Sequence, residues 1–397
     1  MNVKVKKGAL NGIILAPPSK SVAHRALISA FLSKNTVVVG YDNGDDITTT
    51  RNGLKELENA NGHVTINCRE SGSTLRFLLP LAAALGVNVT FTGTRVLLSR
   101  PITALVDLLN KHGATIRGLT VNGKLTSGDF EVDATISSQF ITGLMLALPI
   151  LDGDSKIIFK GVPVSASYLD ITKSILKEFG IRIEDTDYGF YVYGNQKYRR
   201  DTAYVIEGDY SGSAFMLASA AINGKVSVKN LKADSTQGDR KILSILKNFG
   251  AKVSEDKNVV TVEKDRLYGR TIDCEDTPDL AQILAVVGAY AKGQTKLVNV
   301  ERLALKESNR INAIIEQLTT AGIECDYKDG TITINGGKPK GGIFSGGNDH
   351  RTAMSATILA LHADGESQII GAEVVKKSYV NFFNDVKTLG GDVNVLF

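Results

Sequence analysis

The sequence predicts an α/β fold assembled from six internal repeats, and three observations predict it. The first is a recurring helix stop. A helical stretch ends in Gly and runs into a short alternating pattern at Gly62, Gly113, Gly180, Gly250, Gly322 and Gly390. Two copies read Leu-Lys-Glu-Phe-Gly180-Ile-Arg-Ile and Leu-Lys-Asn-Phe-Gly250-Ala-Lys-Val. Gly just past a helix takes the left-handed conformation that residues with a Cβ resist, and the alternation behind it suits a strand with one buried face. The gaps are 51, 67, 70, 72 and 68 residues, so six units span the chain. The second observation is a series of small polar residues, each ahead of an apolar run. The third is composition: Gly is 39 of 397 residues and Pro only 8, which fits many tight turns between uninterrupted elements.

The helix starts come in chain order at Ser19-Lys20-Ser21, Ser71-Gly72-Ser73, Ser137-Ser138-Gln139, Ser211-Gly212-Ser213, Thr277-Pro278-Asp279 and Asp349-His350-Arg351. Such residues cap helices by accepting from free backbone N–H groups. The runs behind them, such as Phe140–Leu151 and Leu280–Ala291, are apolar on nearly every face and predict buried helices. Each unit therefore offers one buried helix, one amphipathic helix ending in Gly, and strands between them. Six helix N-termini facing one cleft would attract anions; each alone is equally an ordinary capped helix.

Composition narrows the function classes. The net charge of +4 allows an anionic partner, but Lys and Arg are spread through the chain without the clustered stripe of a nucleic-acid binder. Apolar stretches around Leu78–Val87, Ile141–Leu151 and Leu280–Ala291 fall short of the roughly 18 residues that cross a membrane. The N-terminal Lys4, Lys6 and Lys7 precede an apolar run too short for a signal peptide. A cytoplasmic protein is expected, with Cys68, Cys274 and Cys325 as reduced, buried thiols.

The chemistry-bearing clusters lie at these helix starts. Ser21 and Arg25 are four apart and share a helix face. Lys20 at a helix start is unfavourable unless an anion binds there. Gly72 lets a ligand approach the backbone, with Arg76 near. Ser137, Ser138 and Gln139 can hold a phosphate without charge. Asp279 is either a cap or a general base for a hydroxyl. Lys306 and Arg310, also four apart, are expected on one helix face beside Glu307, a pattern equally that of a solvated surface.

Ser-Lys-Ser with Arg25, Ser-Gly-Ser with Arg76, Ser-Arg100-Pro101, Ser-Ser-Gln, Thr-Pro-Asp, Lys-Glu-Ser-Asn-Arg and Asp-His-Arg occur in the order of the 5-enolpyruvylshikimate-3-phosphate synthase family, which this chain resembles from about residue 8 to residue 390. The resemblance implies a two-lobed inside-out α/β barrel of six βαβαββ units, three per lobe. One lobe would run over 19–206, and the other over 1–18 plus 207–397, closing on its ligands. It implies transfer of the enolpyruvyl group of phosphoenolpyruvate to the 5-hydroxyl of 3-phosphoshikimate through a tetrahedral ketal, with release of phosphate. The two substrates bring roughly five to six negative charges together. No metal or organic cofactor, nucleic acid or membrane is implied, and a monomer is expected.

By position, Lys20 resembles the residue touching both substrates. Ser21, Arg25, Ser137, Ser138, Gln139, Ser165, Tyr168 and Lys306 resemble 3-phosphoshikimate contacts. Gly72, Arg100, Gln139, Arg310, Arg351 and Lys377 resemble the phosphoenolpyruvate site. Asp279 resembles the base for the 5-hydroxyl, and Glu307 the acid for the methylene carbon, with Lys20 assisting. Glu70 stands where Asn is familiar in the enterobacterial pattern, and Phe77 where Pro is. The related UDP-N-acetylglucosamine enolpyruvyl transferases carry a loop Cys before Arg-Pro and start with Lys-Asn; this chain has Ser99-Arg100-Pro101 and Lys20-Ser21.

Overall fold

The computed structural model describes residues 1–396. The chain divides into two compact units, Lys20–Ile206 and Met1–Ser19 with Glu207–Phe397, and each builds its own apolar core. The repeat glycines Gly62, Gly113, Gly180, Gly250, Gly322 and Gly390 all take positive φ, from 74° to 119°, so the recurring stop is a backbone requirement.

The repeats build sheets of one kind. In Lys20–Ile206, strand Val64–Asn67 lies parallel to Val89–Thr92, and the hairpin Ala114–Arg117 with Thr120–Gly123 adds antiparallel to it. A helix, Gly72–Leu85, joins the parallel pair. The same order recurs for Asp129–Asp133, Ser155–Lys160 and the hairpin Ile183–Thr186 with Gly189–Val192. Parallel neighbours need a crossover, and the apolar helix supplies it. In the other unit the N-terminus completes two sheets. Leu10–Leu15 pairs parallel to Gly224–Lys229, and Asn2–Lys6 inserts between Ser367–Ile370 and Asp392–Leu396. One unit departs from the pattern: Val38–Val39 and Tyr204–Val205 form only a two-stranded parallel sheet.

The crossover helices are buried as their composition predicts; all residues from Ala281 to Ala289 in helix Ala281–Tyr290 are buried. Their starts follow the expected caps in part. Ser71, Ser137 and Asp349 each accept a backbone N–H at a helix start. At Ser211-Gly212-Ser213 the cap is instead Asp209, which accepts from Gly212, and the serines lie inside the first turn. Helix Ala281–Tyr290 has no side-chain cap, because residues 277–280 form a turn and the Asp279 carboxylate is held by arginines. Lys306 is not on the helix of Arg310: it follows the 3₁₀ turn Glu301–Leu305, and the α-helix begins at Arg310. Cys68 and Cys274 are buried thiols pushed up to about 12 by that burial, whereas Cys325 is only half-buried on strand Cys325–Lys328. Among the described residues no helix is long and apolar enough to cross a membrane.

One close packing places the helix starts of Lys20–Ile206. Helix Ser138–Ala147 lies against Gly72–Leu85 so closely that a Cβ on Gly143 would sit 2.4 Å from the Arg76 carbonyl oxygen and 2.9 Å from Pro80 Cγ. Gly143→Ala is therefore expected to destabilise the fold by about 1–3 kcal/mol through overpacking against backbone; urea unfolding measures it, and an unchanged midpoint would contradict this packing.

Candidate active site

In Lys20–Ile206 the first helix, Lys20–Ser33, opens on Lys20, whose Nζ donates to Asp46 Oδ2 at 2.9 Å. Asp46 lies in the first turn of helix Asp45–Glu58, where an acidic residue complements the helix dipole, so its sequence position gave no sign of a second duty. Arg25 is buried. Its Nε donates to Thr172 Oγ1 at 2.7 Å, Nη1 to the Ser21 carbonyl at 2.7 Å, and Nη2 to Thr142 Oγ1 and the Tyr168 carbonyl at 3.2 Å each. Arg25 thus meets Ser21, four residues earlier on the same helix, through the Ser21 backbone carbonyl. Burial pulls the guanidinium down to about 10, which leaves it charged at neutral pH.

The starts of helices Gly72–Leu85 and Ser138–Ala147 are tied through Gln139. Arg76 Nη1 donates to Gln139 Oε1 at 3.1 Å, and Gln139 Nε2 donates to Ser73 Oγ at 3.0 Å. Arg76 Nη2 reaches the Pro101 carbonyl at 2.9 Å. A Cβ on Gly72 would meet Arg76 Nη1 at 2.5 Å and Arg100 Nη1 at 2.8 Å. Only a residue without a side chain lets both guanidinium ends lie against this turn, which makes Gly72 a floor beneath two cations. Ser138 is buried and Ser137 half-buried at the neighbouring helix start. Ser165 is buried and holds φ at 52°, the left-handed region that a serine enters only under local constraint. Its carbonyl accepts from the Tyr168 N–H at the head of helix Ser167–Glu178.

The second set gathers on Arg310. This guanidinium is 1% exposed and meets three carboxylates: Nη1 to Asp279 Oδ1 at 2.8 Å, Nη2 to Glu307 Oε2 at 2.9 Å, and Nε to Asp349 Oδ2 at 2.8 Å. Arg351 Nη2 donates to Asp279 Oδ2 at 3.0 Å, so one carboxylate bridges two arginines. Burial alone would lift the Asp279 carboxyl, but Arg351, Lys306 and Arg310 hold it well below the usual carboxylate range. Burial works against the Arg310 charge, and Asp349, Glu307 and Asp279 outweigh it. The Lys306 ammonium is lowered by burial, with Asp279 opposing. The run 306–310 is therefore not a solvated helix face. Lys377 closes the 3₁₀ turn Ala372–Lys377 and donates from Nζ to the Asn348 carbonyl at 2.8 Å.

Sequence reasoning missed the pairing roles of three carboxylates. Asp349, fully buried, both caps the Arg351 N–H at 2.9 Å and braces Arg310; its place before His350-Arg351 was the available signal. Asp239, in the turn Gly238–Lys241, accepts at Oδ2 from Ser211 Oγ, and its Oδ1 is buried without a hydrogen-bond partner. Nothing in Gln-Gly-Asp239-Arg marks it beforehand. Asp46 is the third.

The geometry thus holds cations against carboxylates and helix starts, the equipment for binding anions and moving protons. A family model described as EPSP synthase (3-phosphoshikimate 1-carboxyvinyltransferase) matches residues 5–386. The chain is 38% identical to the 3-phosphoshikimate 1-carboxyvinyltransferase of Clostridium novyi (strain NT), covering 99% of this chain and 98% of that one. It is 39% identical to the enzyme of the same name from Clostridium kluyveri, with the same coverage. Among solved structures it is similar to EPSP synthase from Acinetobacter baumannii, with a TM-score of 0.82 and 22% identity over 100% of both chains. It is also similar to the enolpyruvyl transferase NikO from Streptomyces tendae, with a TM-score of 0.76 and 16% identity over 99% of this chain and 98% of that one. The two structural likenesses show the α/β fold of six small sheets, and the sequence matches go further: the chain belongs to the EPSP synthase family.

Proposed function

We propose that this chain joins phosphoenolpyruvate to the 5-hydroxyl of 3-phosphoshikimate and releases phosphate, a step of the shikimate pathway to aromatic amino acids. The observation that carries the reading is the family match over residues 5–386, with relatives of that name covering 99% of the chain. The cluster of Asp279, Glu307, Asp349 and Arg351 around the buried Arg310 supports it, because it holds an ionised carboxylate beside cations suited to a phosphate. We assign most 3-phosphoshikimate contacts to the 20–206 unit: Lys20, Ser21, Arg25, Ser137, Ser138, Gln139, Ser165 and Tyr168. Asp279, Glu307 and Lys306, with Arg310, Arg351 and Lys377 for phosphoenolpyruvate, lie in the other unit, while Gly72 and Arg100 belong to the first.

The mechanism follows from who holds whom. Asp279 is anionic and bound by Arg310 and Arg351 without ligand. Phosphoenolpyruvate offers Arg351 a more highly charged partner, which frees a carboxylate oxygen to take the 5-hydroxyl proton. The hydroxyl oxygen then bonds to the enol carbon, and Glu307, assisted by Lys20, delivers a proton to the methylene carbon. In the resulting ketal the carbon–oxygen bond to phosphate breaks and a methyl proton returns to the enzyme, leaving the enolpyruvyl ether. The chemistry calls on no metal or organic cofactor. The dispersed Lys and Arg argue against a nucleic-acid partner, and our reading is of a monomeric, cytoplasmic enzyme whose partners are small molecules.

The purified chain, given both substrates, is expected to release inorganic phosphate and yield the enolpyruvyl ether; the absence of both products would overturn the reading. Asp279→Ala and Glu307→Ala are each expected to lower kcat by about 10²–10⁴, the span of a lost acid or base, while 3-phosphoshikimate affinity measured calorimetrically stays within a few fold.

Gly72→Ala forces the ends of Arg76 and Arg100 outward. It is expected to raise the phosphoenolpyruvate KM and weaken inhibition by the compact phosphonate glyphosate by about tenfold or more. Unchanged inhibition would misplace Gly72.

The cluster also sets a pH dependence. Burial, then the neighbouring Asp279 charge, raises Asp239 to about 7, whereas an unfolded Asp titrates near 3.9. A raised carboxyl contributes stability that is complete below about pH 4 and lost as pH climbs to about 7. Asp239→Asn removes that loss, so its stability relative to the parent protein is expected to increase between pH 5 and pH 8 in urea titrations; an equal difference at both pH values would refute it.

A further inference from the structure

Beneath the Gly72 turn runs a buried chain of hydrogen bonds that the proposed reaction does not itself use. His24 Nδ1 lies 2.8 Å from Thr50 Oγ1, Thr50 Oγ1 lies 2.6 Å from Thr74 Oγ1, and Thr74 Oγ1 donates to Ser71 Oγ at 2.7 Å. The four residues come from three successive helices: Lys20–Ser33, Asp45–Glu58, and the start of Gly72–Leu85. None is more than 1% exposed.

Counting hydrogens fixes the direction of the chain. The Thr74 hydroxyl spends its one hydrogen on Ser71, so it can only accept from Thr50. Thr50 has then spent its own, so His24 must donate from Nδ1. A neutral imidazole with Nδ1–H leaves Nε2 as a bare lone pair, and His24 Nε2 is indeed buried without a hydrogen-bond partner. Burial, then Lys20 and Arg25, holds His24 well below its ordinary value, so the ring is neutral at physiological pH. Phe77, one turn along from Thr74, meets the ring edge-on at 6.2 Å and 89°. At the far end Ser71 receives two hydrogens, from the Thr74 hydroxyl and, at 3.2 Å, from the Thr74 N–H. The Ser71–Gly72 turn is thereby pinned from below by a side-chain relay rooted in the first helix.

We propose that Thr50 and Thr74, oriented by His24, are positioning residues that fix the Ser71–Gly72 turn for phosphoenolpyruvate. The inference rests on the functional reading above, which places Gly72 at that substrate. A turn misplaced by a fraction of an ångström weakens contacts to one ligand and leaves the other substrate's residues, carried on other helices, in place.

The test is steady-state kinetics of Thr74→Val and Thr50→Val, which keep shape and delete the hydroxyl. Each is expected to raise the phosphoenolpyruvate KM about fivefold or more, with kcat and the 3-phosphoshikimate KM within about twofold; Thr74→Ser and Thr50→Ser restore the parent value. An unchanged phosphoenolpyruvate KM, or both KM values rising together, overturns the proposal. Where the valine variants fold poorly, ¹⁵N shifts of His24 in the unmodified protein decide: Nδ1 protonated with Nε2 bare supports the relay, and the reverse tautomer overturns it. Failure of the unmodified chain to release phosphate would instead reject the functional reading.

Discussion

The Arg310 guanidinium, 1% exposed, is the constraint around which the 207–397 region is organised. A cation taken out of water costs several kcal/mol unless it is paired and hydrogen-bonded. Asp279, Glu307 and Asp349 supply that pairing from three separate segments: the turn before helix Ala281–Tyr290, the loop after the turn Glu301–Leu305, and the cap of helix His350–His362. Meeting one guanidinium fixes where those segments stand. Arg351 then shares Asp279 with Arg310, so the fold carries two cations beside a carboxylate whose proton they have expelled.

This arrangement reconciles two demands. A site for polyanionic substrates needs cations close together, and like charges at such distances repel when no ligand is present. Asp279 and Asp349 act as counterions in the ligand-free protein. Lys20 against Asp46 solves the same problem in the other unit, with a single contact at 2.9 Å. In the mechanism we propose, binding of substrates is an exchange of anionic partners that uncovers the Asp279 carboxylate for the hydroxyl.

Around Gly72 the means are different. The helix start is shaped by neutral groups: Ser71 as cap, Thr74 and Thr50 behind it, Gln139 bridging Ser73 and Arg76. Neutral donors and acceptors in a buried network hold a geometry without adding charge to a place where Arg76 and Arg100 already lie close. The bare turn at Gly72 is what lets both guanidinium ends approach.

The sequence by itself determined the repeat. Gly past each amphipathic helix is a local conformational demand, met at all six positions with positive φ, and the apolar runs needed only their composition to predict burial. It also carried the family resemblance, because short motifs such as Ser-Gly-Ser and Lys-Glu-Ser-Asn-Arg survive as contiguous letters. What tertiary structure decided is partnership. Lys306 and Arg310 read as helical neighbours, yet the chain turns between them, since the helix begins only at Arg310. Asp279 read as either a cap or a general base; it caps no helix and is a counterion in the ligand-free protein, because two arginines distant in sequence reach it. Asp46, Asp239 and the His24–Thr50–Thr74–Ser71 relay left no periodic or motif signal. A buried hydrogen bond between residues tens or hundreds of positions apart is set by how sheets and helices pack, and no local window of sequence contains both of its ends.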